Sequence, residues 1–439
     1  MMKILILTSP HPLKASGIVA YDLLDCLSSI EGNDVRILVR KWDKYEDSRI
    51  VTIETTIEHY LYAIIRGIKR VSKTILKLVF ENYKTKNEIL KEILPGDYYL
   101  EYIMTETFYS TNKIIRRTGF KPDIVVVLFM TEFISFKNLH EIFKLTGAPI
   151  YLYLMDMAPF TGGCHYSSDC TGYIRECGNC RALYSNLHND QTRHNYLYKK
   201  KYIEKTNIYP IAASEWQFVQ LNKSSLFKDK RKFKAILPVN ENQYFPSDKT
   251  NSRQELGLPI GKKIIFFGAV SIDEKRKGIN ELTNALNILF QNVEDPSMIH
   301  LVIAGNNGVN FVDKLSFSYT LLGYLDHNSL PKVFQAADVF VSPSIEDSGP
   351  MMVNQSIMCG TPVVAFEIGV ALDLVCNNET GYIAKLKDCK DLAHGIKYIL
   401  ELEDLEYKKM SLKCRETGLS LCRLKKKAEN LMKIFNNQL

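Results

Sequence analysis

Residues 337–366 read ADVFVSPSIEDSGPMMVNQSIMCGTPVVAF. The run Val339 to Ser342 is apolar and rich in β-branched and aromatic residues, as a strand buried on both faces must be. A polar loop follows, in which Glu346 stands just before Gly349 and Pro350. Proline fits the first turn of a helix, where its missing N–H costs nothing, and Cys359-Gly360-Thr361-Pro362 closes that helix before a second apolar run, Pro362 to Phe366. Strand, loop, helix and strand in this order form a parallel crossover unit, which places the chain among α/β proteins.

The same rhythm extends in both directions. Upstream in this half come KIIFFGAV (263–270), MIHLVIAG (298–305) and TLLGYL (320–325). The first half gives KILILTS (3–9), VRILVR (35–40), DIVVVLF (123–129), PIYLYLMD (149–156) and NIYPIAAS (207–214). Between the halves, ILPVNENQYFP (236–246) interrupts the pattern with two prolines and a polar patch. The expected organisation is a Rossmann-like domain over 1–238, a second over 239–415 and a C-terminal helix over 416–439 that packs back on the first domain. Two doubly wound domains of this kind, facing a central cleft, direct the loops at their strand C-termini toward one ligand.

Composition is that of an ordinary globular protein: of 439 residues, 46% are hydrophobic and 24% charged, too many for one core to organise. The opening MMKILILTSP has too short an apolar run for a signal peptide, and no stretch approaches the ~18 apolar residues of a membrane span. The expectation is a cytoplasmic protein. A net charge of +7 has a local source between Tyr60 and Phe80. There Arg66, Lys69, Arg70, Lys73 and Lys77 share one helical face opposite Ile64, Ile68, Val71, Ile75 and Val79. Such a face suits either anionic lipid at the inner face of the membrane or plain solvent. Nucleic acid is excluded as a partner, because no basic patch is interleaved with aromatics for stacking.

Four of the ten cysteines, Cys164, Cys170, Cys177 and Cys180, fall in TGGCHYSSDCTGYIRECGNC (161–180). Only the last pair has the C-x-x-C spacing of zinc ligands. A structural zinc, partial disulfides and unliganded packing cysteines all fit, and a thioredoxin-like redox pair does not. Phosphate-binding signals stand at three strand ends. Gly17 precedes a helix, Arg276 and Lys277 precede another, and Gly349 to Met352 open a third.

Together with LGYL, the loop ADVFVSPSIED and CGTPVVAFEIG, this order resembles glycosyltransferase family 4 of the GT-B fold, most closely over 263–385. The segment MDMAPFTGGCHYSSDCTGYIRECGNC resembles a subgroup that builds bacterial surface polysaccharides. The resemblance implies a retaining transferase that moves a sugar from a nucleotide-sugar donor to a lipid-linked or polymeric glycan acceptor, as in O-antigen, capsule or exopolysaccharide biosynthesis. It also implies that Glu346 binds donor-sugar hydroxyls and that Lys277, with Arg276, binds the diphosphate. Gly17, Gly268, Gly349, Pro350, Met351 and Met352 would complete the donor site, with Tyr324 and Leu325 against the base.

The chain departs from the family pattern in three places. Asn354 stands where a second Glu usually meets the ribose, Ala269 replaces an Arg after Gly268, and Met155 replaces the His before Asp156. The acceptor hydroxyl could then be served by Asp156, by His165 or by the donor phosphate itself, and the last is the favoured expectation. No Asp-x-Asp pair is present, so catalysis is expected to need no metal or other cofactor. The alternatives are a catalytically degenerate protein that still binds nucleotide sugar, and a transferase that makes a soluble glycoside.

Overall fold

The computed structural model describes residues 2–61, 64, 100–307 and 309–436. Most of the basic stretch expected over 60–80, with Arg66, Lys69, Arg70, Lys73 and Lys77, lies outside the described residues.

Two sheets carry the fold. The first has the order β3-β2-β1-β4-β5-β6-β7. Its strands are β1 Met2–Thr8, β2 Asn33–Val39, β3 Ile50–Thr52, β4 Ile124–Val127, β5 Ile150–Leu154, β6 Ile208–Ala212 and β7 Phe233–Lys234. The second has the order β10-β9-β8-β11-β12-β13. It comprises β8 Lys263–Ser271, β9 Ile299–Asn306, β10 Ser318–Gly323, β11 Val339–Ser342, β12 Val363–Phe366 and β13 Gly381–Ala384. Registers such as Ile4 on Ile124 and Phe340 on Val363 are parallel. Both orders are those of doubly wound sheets, with the strand order reversing between β1 and β4 and between β8 and β11. The α/β class and the pair of Rossmann-like sheets are as the sequence implies.

Burial explains why these segments are strands. In the second sheet, alternate residues serve opposite faces: Ile264, Phe266, Phe340, Val363 and Ala365 enter one core cluster. Ile265, Phe267, Val339, Val341, Val364 and Phe366 enter the other. A strand that buries both sides has no polar positions to spare, hence the continuous apolar runs. Each such side chain contributes about 1.5–3 kcal/mol on burial. The segment at 236–246 is no solvated linker, since Ile236, Val239 and Tyr244 belong to the first of these clusters.

By contact density the chain divides into two units. Unit 1 is Met1–Pro12, Asp34–Pro210 and Leu221–Arg231; unit 2 is Leu13–Asn33, Ile211–Gln220 and Lys232–Leu439. Unit 1 contains α2 (Thr111–Thr118), α3 (Phe136–Thr146) and α4 (Gln191–Ile203). Within it α3 starts with a capping box between Ser135 and Asn138, and α4 with Asp190 accepting from the amides of Thr192 and Arg193. In unit 2, α1 (Ile18–Ser28) receives the last helix, Leu424–Asn436, through a Cys26 thiol that donates to Leu424 O at 3.2 Å.

Candidate active site

The loops that leave the reversal point of the second sheet converge in unit 2. After β8, a single turn at Lys275–Lys277 leads through Gly278 into the helix Ile279–Asn292. After β11, the chain runs through Ser344 and Asp347 to the helix Met351–Met358. The two loops are joined by backbone: Arg276 O accepts from the amides of Ile345 at 2.9 Å and Glu346 at 3.4 Å. Gly278 has φ +72°, and a Cβ there would lie 1.7 Å from Pro343 O. Only glycine permits this approach.

The join brings Arg276 and Lys277 onto one carboxylate. It is Asp347, which nothing in the sequence marked; Glu346, expected at the donor-sugar hydroxyls, is its neighbour. Asp347 Oδ2 lies 2.6 Å from Lys277 Nζ and 3.0 Å from Arg276 Nη1, and its Oδ1 accepts from Gly349 N at 3.1 Å. Burial alone would raise this carboxyl; Lys277 and then Arg276 override it and hold Asp347 below the usual range. Glu346 is held through its main chain. The helix at Met351 has Pro350 as its N-cap residue and no side-chain cap, which leaves orphan amides in its first turn.

The other expected donor residues divide. Gly268 is closed against Met352, whose Cε would stand 2.7 Å from an added Cβ. Gly17 is the N-cap residue of α1 and has no side chain to cap it; nearby, Tyr324 Oη accepts from Ala15 N at 3.2 Å. Leu325 packs against the core rather than lying free on the surface. Asn354, expected at a ribose, is turned inward. It is 1% exposed, and its Nδ2 donates to Leu237 O at 3.3 Å.

In unit 1, Asp156 follows β5 and its Oδ2 meets His165 Nδ1 at 2.6 Å. The pair is framed by backbone. Asp156 Oδ1 accepts from Ala158 N at 2.8 Å, and His165 O accepts from Met157 N at 2.9 Å. Beneath them Lys199, fully buried, donates to Ala158 O at 2.6 Å and Thr161 O at 2.8 Å. Burial pulls the Lys199 ammonium down to about 8, against the opposing charges of Glu101 and Asp156. Burial likewise lowers His165, but the charge and hydrogen bond of Asp156 outweigh it and hold the ring above its ordinary value. Glu101 and Lys199 were invisible in the sequence: Lys199 begins the run Lys199-Lys200-Lys201, and nothing in that run marks which lysine is buried.

The cysteine segment is tightly wound. Ser168, Cys177, Asn179 and Tyr184 all take positive φ. All four cysteines are free, and burial raises the thiols of Cys164, Cys177 and Cys180. Cys170 Sγ accepts from Gly172 N at 3.4 Å. Among the described residues no three His, Cys, Asp or Glu side chains form a group that could hold a metal ion; Cys164 nonetheless lies within electrostatic reach of Cys170, Cys177 and Cys180. No described helix is long and apolar enough to cross a membrane.

Residues 248–418, which span both loops of the site in unit 2, match the family described as glycosyl transferases group 1. The whole chain aligns with sucrose-phosphate synthase from Thermosynechococcus elongatus, with a TM-score of 0.66 at 15% identity over 100% of this chain and 99% of that one. The fold is that of the GT-B glycosyltransferases. A further GT-B neighbour is Anabaena HepE in complex with UDP-glucose, with a TM-score of 0.60 at 14% identity, covering 100% of both chains. By sequence, an uncharacterized glycosyltransferase of Methanocaldococcus jannaschii is 25% identical over 160 residues, 35% of this chain and 40% of that protein. A D-inositol 3-phosphate glycosyltransferase of Mycobacterium bovis is 25% identical over 176 residues, 37% of this chain and 35% of that protein. The chain thus covers two fifths or less of the length of these curated relatives.

Proposed function

We propose that the protein is a retaining glycosyltransferase that takes a sugar from a nucleotide-sugar donor and passes it to a lipid-linked or polymeric glycan in surface polysaccharide biosynthesis. The observation that carries the donor half of this reading is the meeting of Lys277 and Arg276 on Asp347, in the loop that leads into the helix Met351–Met358 at the reversal point of a doubly wound sheet. A diphosphate placed there receives two cations and the helix dipole, which stabilise the charge that develops as the C1–O bond to phosphate breaks. The acceptor oxygen forms its bond to C1 on the same face, and its proton passes to the departing phosphate oxygen. No metal enters this scheme. The UDP and UDP-glucose complexes of the Anabaena neighbour make uridine nucleotides the first donors to try.

Asp156 and His165 serve the acceptor side in this reading, and the cysteine segment that carries His165 shapes what is accepted. The basic stretch of 60–80 supplies contact with anionic lipid. A second reading, a soluble phosphorylated acceptor, draws on the similarity to D-inositol 3-phosphate glycosyltransferases.

Thermal stabilisation against a panel of nucleotide sugars and free nucleoside diphosphates tests the donor half, because a ligand bound only by the folded state raises the melting temperature. A shift with one nucleotide sugar supports the reading. No shift across the panel leaves a degenerate GT-B protein. Product assays with lipid-linked glycans and with inositol phosphates then separate the two acceptors.

A further inference from the structure

The cations assigned to the donor diphosphate already hold an anion. Asp347 collects the Lys277 ammonium, one arm of the Arg276 guanidinium and the Gly349 amide. An ammonium, a guanidinium and a backbone N–H before a helix are the donors that a phosphate group uses. Glu274 takes the other side of Arg276, with Nε 2.5 Å from its Oε1. These two cations and two carboxylates sum to no net charge, so an incoming anion must compete for Arg276 and Lys277 with carboxylates already bound to them. Asp347 is also too deeply buried, at 5% exposure, for water to replace what a ligand would take from it.

The residues after it are incompletely satisfied. Ser348 Oγ, Asn354 Oδ1 and Gln355 Oε1 are all buried without a hydrogen-bond partner. Orphaned polar atoms of this kind are costly and call for an explanation in a folded protein. Ser348 lies between Asp347 and Gly349, in the turn a phosphate would occupy.

We propose that Asp347 is a resident counterion of the diphosphate site: it fills the site when no ligand is bound, and a diphosphate binds by taking Lys277, Arg276 and the Gly349 amide from it. The proposal rests on the donor-site reading above. It gives Asp347 a role in turnover, since the nucleoside diphosphate left after transfer carries more negative charge than the nucleotide sugar. Asp347 competes with that product for the same donors and hastens its release.

Calorimetric titration of inorganic pyrophosphate and of UDP into wild type, Lys277→Ala, Asp347→Asn and Asp347→Ser tests this. Both Asp347 variants remove the charge and keep a hydrogen-bonding group, so either suffices if the other fails to fold. The expected result is about ten-fold tighter binding of both probes by the Asp347 variants, from the loss of one nearby negative charge, with weaker binding by Lys277→Ala. If Asp347 only anchors the two cations, its variants bind more weakly; that result, or an unchanged Kd, overturns the proposal while a weakened Lys277→Ala leaves the donor-site reading intact. Folded wild type that binds neither probe removes both.

Discussion

His165 Nδ1 and Asp156 Oδ2 stand 2.6 Å apart although they are nine positions apart in sequence and the intervening chain turns through a short helical turn at Ala158–Phe160. A carboxylate on one ring nitrogen fixes the tautomer and orientation of an imidazole. The ring comes from the cysteine segment, which brings it back onto the residue that follows β5.

If the pair works as a unit on the acceptor, Asp156→Asn and His165→Gln should each lower turnover about 100-fold. The double variant should be little worse than the poorer single one, because the members of a unit are not additive. Steady-state kinetics with saturating donor measures this. Fully additive losses would separate the two residues.

Gly278→Ala should disturb the donor site without touching a ligand group. The new methyl would lie 1.7 Å from Pro343 O at a φ of +72°, so the turn carrying Arg276 and Lys277 must move. The expected cost is about 1–3 kcal/mol of stability, seen in urea unfolding, together with weaker UDP binding in calorimetry. Binding at wild-type strength would show that the turn tolerates displacement.

Asp22, in α1, is 2% exposed and its Oδ2 has no partner. Burial, and then the charge of Asp25, pushes its carboxyl well above the ordinary range. The folded state thus holds this proton more tightly than the unfolded chain, where Asp titrates near about 3.9. The group's contribution to stability is fullest below that pH and declines as the pH rises. Asp22→Asn should melt higher than wild type at neutral pH, by a few degrees or more, and the gap should close as the pH falls toward 4. A gap that is constant with pH would mean that Asp22 does not titrate between the two states.

The cysteine segment makes a compositional prediction. If the segment is a structural zinc site, the purified protein should carry about one equivalent of zinc on Cys164, Cys170, Cys177 and Cys180. In that case chelation should cost stability before donor binding. Protein free of zinc, with four titratable thiols in this segment, would leave them as packing residues whose burial suppresses their reactivity.

Of the described strands, nine were legible because most of their residues are buried and so lack polar interruptions, and β10, an edge strand exposed along much of its length, was legible from its apolar run TLLGYL. Three were not: β3, β7 and β13 have two to four residues each and sit at sheet edges. An edge strand needs only one apolar side and little length, which leaves no periodic signal. At the site, Lys277 and Arg276 could be read from their place before a helix, but the choice between Glu346 and Asp347 could not. Adjacent residues in an extended loop point to opposite sides, and only the backbone join to Arg276 decides which one faces the cations. Asn354 shows the same limit, because its inward turn depends on Leu237, more than a hundred residues away in sequence.

The join between the two donor loops is made of main-chain atoms: Arg276 O, the amides of Ile345 and Glu346, and the Pro343 carbonyl under Gly278. Apart from the glycine, it places no demand on side-chain identity. A chain could therefore exchange the residue at 346 while the loops keep their path, whereas the buried Asp347 and the cations on it must change together. Libraries randomised at 346 with Gly278 and Asp347 held fixed should retain a high fraction of folded members.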